Sequence, residues 1–230
     1  MCYCPQARLS TITALVNISQ KGIICMDGII FDVDGTLWNS TDTVAESWNK
    51  AISEHSDLDV RINAAILKNL FGKPMDEIYD AVFPQLSKEE QQKLGDLCFE
   101  YENELLETKP GILYQDVSET LRALSQKTDL YIVSNCQRGY IEVFMKTTGL
   151  GDVINDHLCF GDTLTSKGQT ILTLMARRGL KDVVYVGDTL GDYQACGEAG
   201  IPFIFAEYGF GDVPQAEVKI RGIAELLSKF

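Results

Sequence analysis

Residues 28–36 decide the fold, and they read GIIFDVDGT. The first four are continuously apolar and lack the alternation of a strand that has one face in water. Such a run is typical of a strand buried on both faces, as in a parallel sheet with helices on either side. It ends directly in two aspartates, Asp32 and Asp34. The sequence therefore predicts a buried strand that leads into a charged loop.

Three further short runs, 130–133, 182–187 and 202–206, have the same apolar character. Segments with a helical period separate them. Residues 167–178, for example, carry their apolar side chains on one stripe and are followed by Gly179, a stop signal. Strand, helix and strand at this spacing predict parallel βαβ units. We therefore predict an α/β fold with a doubly wound, Rossmann-like parallel sheet.

The interval 41–109 has no strong strand pattern and is rich in Glu, Lys, Gln and Leu. Its periodicity predicts helices over 43–53, 62–70, 75–82 and 87–107. The last begins at Ser87 with Glu90 three residues on, which fits a capping box. We predict a core of residues 26–40 and 110–230, into which 41–109 are inserted as a helical lid.

Both chain ends are less informative. Residues 1–25 contain one interrupted apolar patch, which makes a weak signal peptide, and we expect them to lie outside the functional fold. Residues 220–230 predict a short terminal helix.

Composition excludes several classes of protein. With 33 acidic and 20 basic residues the net charge is −13, which disfavours nucleic-acid binding. The 45% hydrophobic content is that of an ordinary globular protein, and no apolar run reaches the ~20 residues of a membrane span. Seven scattered cysteines without a C-x-x-C pair disfavour a zinc site or a disulfide framework and predict free thiols in a reducing cytoplasm. A monomer and a homodimer both stay open.

Polar residues stand where the buried runs end. In open parallel sheets, ligands bind beyond the carboxyl ends of the strands. Any one such residue is equally explained as a turn former or helix cap. The residues in question are Asp32, Asp34, Ser134, Asn135, Asp188 and Asp192.

Several carboxylates at one sheet edge need a cation, because two unit charges ~4 Å apart repel by about 4 kcal/mol near a protein surface. Oxygen ligands without EF-hand spacing favour Mg²⁺. Lys167 begins the helix that precedes the apolar run 182–187 and could reach the same edge. A magnesium ion, an ammonium group and the neighbouring Ser and Asn together suit a phosphate group.

Residues 32–36, DVDGT, after an apolar strand resemble the first signature of the haloacid dehalogenase superfamily of phosphatases. Ser134, Lys167 and residues 187–192, GDTLGD, follow in the order of that family. The resemblance runs from about residue 27 to the C-terminus, and the inserted helices resemble the α-helical cap of the phosphoglycolate phosphatase type.

The resemblance implies a role for each matching residue. Asp32 is expected to be the nucleophile that forms an aspartyl-phosphate, and Asp34 the general acid and base. Magnesium is expected to bind the Asp32 and Asp188 carboxylates and the main-chain carbonyl of Asp34, while Asp192 orients a metal-bound water.

Other residues would hold the substrate, a small phosphorylated metabolite. The resemblance implies that Ser134, the Asn135 main chain and Lys167 bind the transferring phosphoryl oxygens. Lys73, in the position of a specificity loop, could steer an anionic leaving group, and Arg138 is a further candidate, although both also fit ordinary surface residues.

The leading hypothesis is thus a magnesium-dependent phosphatase of small phosphomonoesters. A sugar-phosphate mutase of the same superfamily would keep the chemistry but return the phosphoryl group to a second hydroxyl. From other classes, a phospho-accepting signalling receiver and a catalytically silent binding protein also stay open.

Overall fold

Residues 26–230 form eight strands, and six of them lie in one sheet in which every neighbouring pair is parallel. The other two pair with each other. The computed structural model describes residues 26–230, so the predicted extension 1–25 lies outside the described residues. The strands are β1 (Gly28–Phe31), β2 (Trp38–Asn39), β3 (Ile112–Leu113), β4 (Asp129–Ser134), β5 (Asp156–Cys159), β6 (Val183–Gly187), β7 (Phe203–Ala206) and β8 (Lys219–Ile220). The sheet order is β5-β4-β1-β6-β7-β8, which confirms the predicted α/β fold.

Helices lie between the strands. They are α1 (Thr41–His55), α2 (Ala64–Lys68), α3 (Met75–Val82), α4 (Lys88–Thr108), α5 (Val117–Leu124), α6 (Tyr140–Thr148), α7 (Phe160–Thr163), α8 (Lys167–Arg178) and α9 (Leu190–Ala199), with a 3₁₀-helix at Ile223–Ser228. As predicted, Gly179 ends α8 in the left-handed conformation, at φ 70°.

Strand β1 is buried on both faces because its side chains enter two separate hydrophobic clusters. Ile29 and Phe31 belong to one cluster, and Ile30 belongs to the other, on the opposite side of the sheet. All three side chains are fully buried. This explains the unbroken apolar run, since no face of the central strand meets water.

The register of the sheet brings three strand ends to one level. Phe31 is paired with Ile132 of β4 on one side and with Val186 of β6 on the other. The chain passes from β1 to β4 and β5 in one direction, and then crosses back to β6, β7 and β8. The strand order therefore reverses at β1, which creates the switch-point crevice where ligands bind in such sheets.

The segment between β2 and β3 contains only the helices α1–α4. The two strands pair antiparallel, with Trp38 opposite Leu113, so the chain leaves and re-enters the sheet region side by side. Helices α1 and α4 pack along each other, and Trp48 stacks edge-on against Phe99 at a ring distance of 5.7 Å. The predicted helix 62–70 is shorter than expected, beginning after the Asn63 cap and ending at Lys68.

Strands β5 and β8 and the predicted terminal helix differ from the sequence-based expectation. Strand β5, with the sequence DHLC, is half polar and lies at the sheet edge, so it lacks a buried apolar run. The predicted terminal helix over 220–230 was wrong in extent. Ile220 pairs with β7 as part of β8, and only a short 3₁₀-helix follows.

The capping box at the start of α4 provides a test of the insert. The Ser87 hydroxyl accepts a hydrogen bond from the Glu90 amide, and the Glu90 carboxylate accepts one from the Ser87 amide at 2.9 Å. We expect Ser87→Ala to lower the free energy of unfolding by about 1 kcal/mol, measured by urea denaturation. The control is Ser53→Ala, at an exposed interior position of α1, which should leave stability unchanged or slightly raised. Equal stabilities of the two variants would contradict the assigned cap.

Candidate active site

A buried ammonium group joins two of the predicted carboxylates. Lys167, the first residue of α8, places its Nζ 3.0 Å from Asp32 Oδ1 and 2.6 Å from Asp192 Oδ1. All three side chains are almost completely buried. Burial alone lowers the pKa of Lys167, but Asp192 and Asp32 outweigh it and raise the pKa above its usual range. The lysine is therefore held in its charged form.

The carboxylate of Glu198, which forms no ion pair with the Lys167 ammonium, fixes the start of α8. Glu198 accepts hydrogen bonds from the Ser166 hydroxyl at 2.8 Å and from Gln169 Nε2 at 2.9 Å. A Cβ at Gly168 would lie 2.4 Å from Glu198 Oε2, so a glycine is needed at this close approach. These contacts hold Lys167 against the sheet edge.

Asp192 both binds Lys167 and caps a helix. Its Oδ2 accepts hydrogen bonds from the amides of Asp188 and Thr189 and from the Thr189 hydroxyl. The bond from the Thr189 amide, together with the bond that the Asp192 amide donates to the Thr189 hydroxyl, forms the capping box of α9. The Oδ1 of Asp192 accepts from Lys167. The structural and functional interpretations of this residue are thus compatible, because one oxygen serves each purpose.

Asp188 follows β6 and is completely buried. Its Oδ2 accepts a hydrogen bond of 2.7 Å from the Phe210 amide, and its Oδ1 lies 3.3 Å from the Thr36 hydroxyl. Gly35 packs directly against it, with φ +83°, and a Cβ there would lie 2.0 Å from Asp188 Oδ2. Only glycine provides both the left-handed turn and the space for this carboxylate.

The cluster has the donor set of a metal site. Asp32, Asp188 and Asp192 each offer a carboxylate oxygen, and these oxygens lie within 4.8 Å of one another. One lysine does not balance three buried carboxylates. Burial, together with the charges of Asp192 and Asp32, raises the pKa of Asp188 well above its usual value. An oxygen-only cluster with uncompensated negative charge fits a hard divalent cation such as Mg²⁺.

Asp34 lies in a different environment from this cluster. Its Oδ1 accepts hydrogen bonds from the Ser40 hydroxyl at 2.6 Å and from the Tyr140 hydroxyl at 2.8 Å. The indole Nε1 of Trp38 donates in turn to the Tyr140 oxygen at 3.2 Å. Burial raises the pKa of Asp34 to about 7, even though the bonds from Ser40 and Tyr140 oppose this shift. A carboxyl group with such a pKa can give and take a proton near neutral pH.

The structure brings Ser134 and Asn135 to the same edge. Both line one cavity with Asp32 and Asp34. The Asn135 side chain also donates a hydrogen bond of 3.0 Å to the carbonyl oxygen of Gly72, in the loop between α2 and α3. The loop after β4 therefore contacts both the aspartates and the helical insert.

The two basic candidates lie farther out. Lys73 is exposed and lines an outer groove of about 880 Å³ that also borders Asn135 and Lys167. Arg138 is exposed and forms an ion pair of 3.0 Å with Asp162. Among the residues described, neither side chain lines the inner cavity with the aspartates.

Sequence reasoning missed several members of the site. Ser40 and Tyr140 contact Asp34, and the Tyr185 hydroxyl lies 3.5 Å from Asp32 Oδ1. Glu102 of α4 lines the same inner cavity. Tyr140 is separated from Asp34 by 106 positions, and no local pattern announces such a contact.

The similarity of this chain to known proteins agrees with the geometry of the site. The family model of haloacid dehalogenase-like hydrolases matches residues 29–206. The chain therefore belongs to the haloacid dehalogenase-like hydrolase family, as the strand-end residues predict.

Within this family, the chain is similar in sequence to phosphoglycolate phosphatases. The chain is 29% identical over 199 residues to a phosphoglycolate phosphatase from Synechococcus elongatus, covering 81% of this chain and 86% of the relative. It is 27% identical over 205 residues to a phosphoglycolate phosphatase from Pasteurella multocida, covering 82% and 89%.

Solved structures share the fold. The crystal structure of a predicted phosphoglycolate phosphatase from Haemophilus somnus superposes with a TM-score of 0.76 at 24% identity, covering 90% of this chain and 99% of that one. A haloacid dehalogenase-like family hydrolase from Streptococcus pneumoniae gives 0.75 at 19% identity, covering 88% and 97%. Within residues 26–230, every helix is too short or too polar to cross a bilayer.

The contact between Gly35 and Asp188 can be tested without measuring activity. We expect Gly35→Ala to lower the free energy of unfolding by about 1–3 kcal/mol, because the residue is held at positive φ and its Cβ would collide with Asp188. Gly197→Ala is the matched control. Gly197 lies in α9 with open space around it, so alanine should stabilise the helix by about 0.5–1 kcal/mol. Urea denaturation measures both, and equal effects would contradict the close approach.

Proposed function

We propose that the protein is a magnesium-dependent phosphatase that hydrolyses small phosphomonoesters through an aspartyl-phosphate on Asp32. One observation carries the proposal. Asp32 is buried beside Lys167 and two further carboxylates, whereas Asp34, two residues on, is held separately by Ser40 and Tyr140. This arrangement provides a nucleophile and a distinct proton donor at one strand end. The likeness to phosphoglycolate phosphatases supports the reaction class.

In the first step, an Asp32 oxygen attacks phosphorus and the bond from phosphorus to the ester oxygen breaks. Burial raises the pKa of Asp32 to about 6, but the nearby Lys167 opposes this shift and favours the ionised nucleophile. Ser134, the Asn135 main chain and the Lys167 ammonium are placed to bind the phosphoryl oxygens. Lys167 offsets the negative charge that develops on them.

Asp34 supplies the proton that the leaving alcohol needs. Both of its hydrogen bonds end on Oδ1, which leaves Oδ2 to carry the proton. In the second step Asp34 takes a proton from water, the water oxygen bonds to phosphorus, and the bond to Asp32 breaks. Inorganic phosphate and the free Asp32 carboxylate result, and Asp34 has regained its proton.

Magnesium would be held by the carboxylates of Asp32 and Asp188 and by the main-chain carbonyl of Asp34, with Asp192 placed to orient a bound water. When bound, the ion neutralises negative charge on the phosphoryl group and its nucleophile. The cluster itself supports a cation, because its three carboxylates face a single lysine.

We further propose that the insert acts as a lid. The inner cavity has a volume of about 30 Å³, the scale of roughly one or two waters, so a phosphomonoester cannot enter while the insert is in this position. Four hydrogen bonds tie the insert to the loop after β4: Asn135 donates to the Gly72 carbonyl, Asn103 donates to the Arg138 carbonyl, and Gln137 donates to Glu102 and to Asn103. Opening requires that they break, and closing excludes water from the reaction.

The reducing cytoplasm is the proposed compartment. Cys98, Cys136, Cys159 and Cys196 are buried free thiols. Such thiols persist where glutathione and thioredoxin keep cysteines reduced.

The nucleophile is tested by Asp32→Asn. We expect phosphate release from p-nitrophenyl phosphate to fall by ~10⁴-fold, since an amide cannot form the covalent intermediate. Steady phosphate release by the wild type, without transfer to a second hydroxyl, also distinguishes a phosphatase from a mutase. Asp212→Asn, at an exposed loop position, should retain full activity. Unimpaired turnover by Asp32→Asn would overturn the assignment.

The cation site is tested by thermal unfolding. Adding Mg²⁺ to the metal-free wild type should raise its melting temperature, because the cation binds only the folded cluster. Asp188→Asn removes one of the repelling charges. This variant should be at least as stable as the wild type without metal and should lose most of the Mg²⁺-dependent increase. Asp212→Asn should respond like the wild type. A full Mg²⁺ response in Asp188→Asn would place the ion elsewhere.

A further inference from the structure

A carboxylate of the insert shares the inner cavity with the aspartates that follow β1. Glu102 on α4 is 4% exposed, and it lines this cavity together with Asp32, Asp34 and Ser134. Once the insert has opened, an ester whose phosphate lies at Asp32 and whose leaving oxygen faces Asp34 would place its organic part toward the wall that the insert contributes to this cavity. Glu102 is therefore positioned to contact the leaving group.

Packing does not explain why this residue is a carboxylate. Its Oε2 accepts a hydrogen bond of 2.6 Å from Trp48 Nε1, and its Oε1 accepts one of 3.1 Å from Gln137 Nε2. Both donors are neutral, and within residues 26–230 Glu102 forms no salt bridge. Burial raises the pKa of Glu102 to about 8, so without a compensating ligand the group is largely protonated at neutral pH. A buried carboxylate without a cationic partner is costly, so a purely structural role would be better served by a neutral side chain.

The rest of the wall that the insert contributes has no charged group. It consists of Trp48, Phe71, Gly72, Met75, Ile78 and Phe99. Apolar walls with a few placed polar groups are the usual design of small-molecule sites, where the polar group determines orientation and specificity. Glu102 provides that polar group here, assisted by Gln137.

The same wall lacks a positive charge. Among the described residues that line the cavity, none is Lys, Arg or His. Lys73 lies on the outer groove, and Lys167 is engaged by Asp32 and Asp192. A carboxylate on the leaving group would therefore meet Glu102 with no cation to compensate it.

We propose that Glu102 selects the leaving group: it accepts a hydrogen bond from a hydroxyl or ammonium group on the organic part and disfavours esters that carry a carboxylate there. This inference rests on the proposed phosphatase function and names its substrate class. Phosphoglycolate, the substrate in the names of the curated relatives, carries such a carboxylate, so this chain has a different preference from those names.

The test compares four esters of matched size with the full chain and Mg²⁺ at one pH above 8, where Glu102 is ionised and the state of Asp34 is the same for all four. They are 2-hydroxyethyl phosphate, phosphoethanolamine, phosphoglycolate and ethyl phosphate. We expect kcat/KM for the hydroxyl or the ammonium ester to exceed the values for the other two by about tenfold or more, as a hydrogen bond to a charged group predicts. The first two esters distinguish a hydroxyl from an ammonium as the favoured donor.

Glu102→Gln keeps the shape and removes the charge, and Gln137 can rotate its amide to pair with the new side chain. The preference for the favoured ester over phosphoglycolate should shrink by about tenfold. Glu104→Gln makes the same change at an exposed position of α4 and should leave the preference unchanged. Glu102→Gln should also melt at or above the wild-type temperature, whereas a structural role predicts a lower one.

The outcomes separate the two proposals. Efficient hydrolysis of phosphoglycolate by the wild type, at or above the rates for the hydroxyl and ammonium esters, would overturn the inference and leave the phosphatase function standing. An unchanged preference in a folded Glu102→Gln would also overturn it. Wild-type protein that releases phosphate from p-nitrophenyl phosphate but from none of the four esters would overturn the inference alone. Release from neither the four esters nor p-nitrophenyl phosphate would overturn the proposed function, and the inference with it.

Discussion

The buried ion pairs of Lys167 are the interaction on which the site depends. The ammonium links β1, through Asp32, to the start of α9, through Asp192, and it does so from the first residue of a third element, α8. A buried charge without a partner is costly, and so each member of these ion pairs would be costly alone. Three elements that are distant in sequence are thus held at one point. Because the carboxylates still outnumber the ammonium, the same point has the donor set to hold a cation.

The sheet register makes this ion pair possible. Pairing Phe31 with Ile132 and Val186 places the ends of β1, β4 and β6 at the same height, so that Asp32, Ser134 and Asp188 emerge together. A slip by one residue would turn every side chain of β1 to the opposite face. The two hydrophobic clusters prevent it, since Ile30 has its own partners on one side of the sheet, and Ile29 and Phe31 have theirs on the other. Burial of apolar side chains therefore determines where the charged ones lie.

The sequence predicts what is local or central, and it fails where contacts are distant. The capping box of Ser87 and Glu90, the stop at Gly179 and the buried run of β1 are each encoded within a few residues, and each was predicted. Strand β5 lies at the edge and mixes polar with apolar residues, so it gave no signal. Tyr140 meets Asp34 from 106 positions away, because folding brings the start of α6 to the loop after β1, and Ser40 meets it from the end of β2. Their sequence neighbours give no hint of this contact.

The buried charge of Lys167 in the core is compensated by other protein charges, whereas the buried carboxyl group of the insert is not. In the core, Lys167 is satisfied within the protein by two carboxylates, so its position does not depend on a ligand. In the insert, the hydrogen bonds that Glu102 accepts within residues 26–230 come from the neutral donors of Trp48 and Gln137. The first arrangement is suited to chemistry that must be the same for every substrate, because its geometry is already fixed. The second leaves part of the electrostatic compensation to whatever enters the cavity. Under the proposed function, such a site would bind the phosphate through the sheet edge and distinguish the organic part through the helices above it.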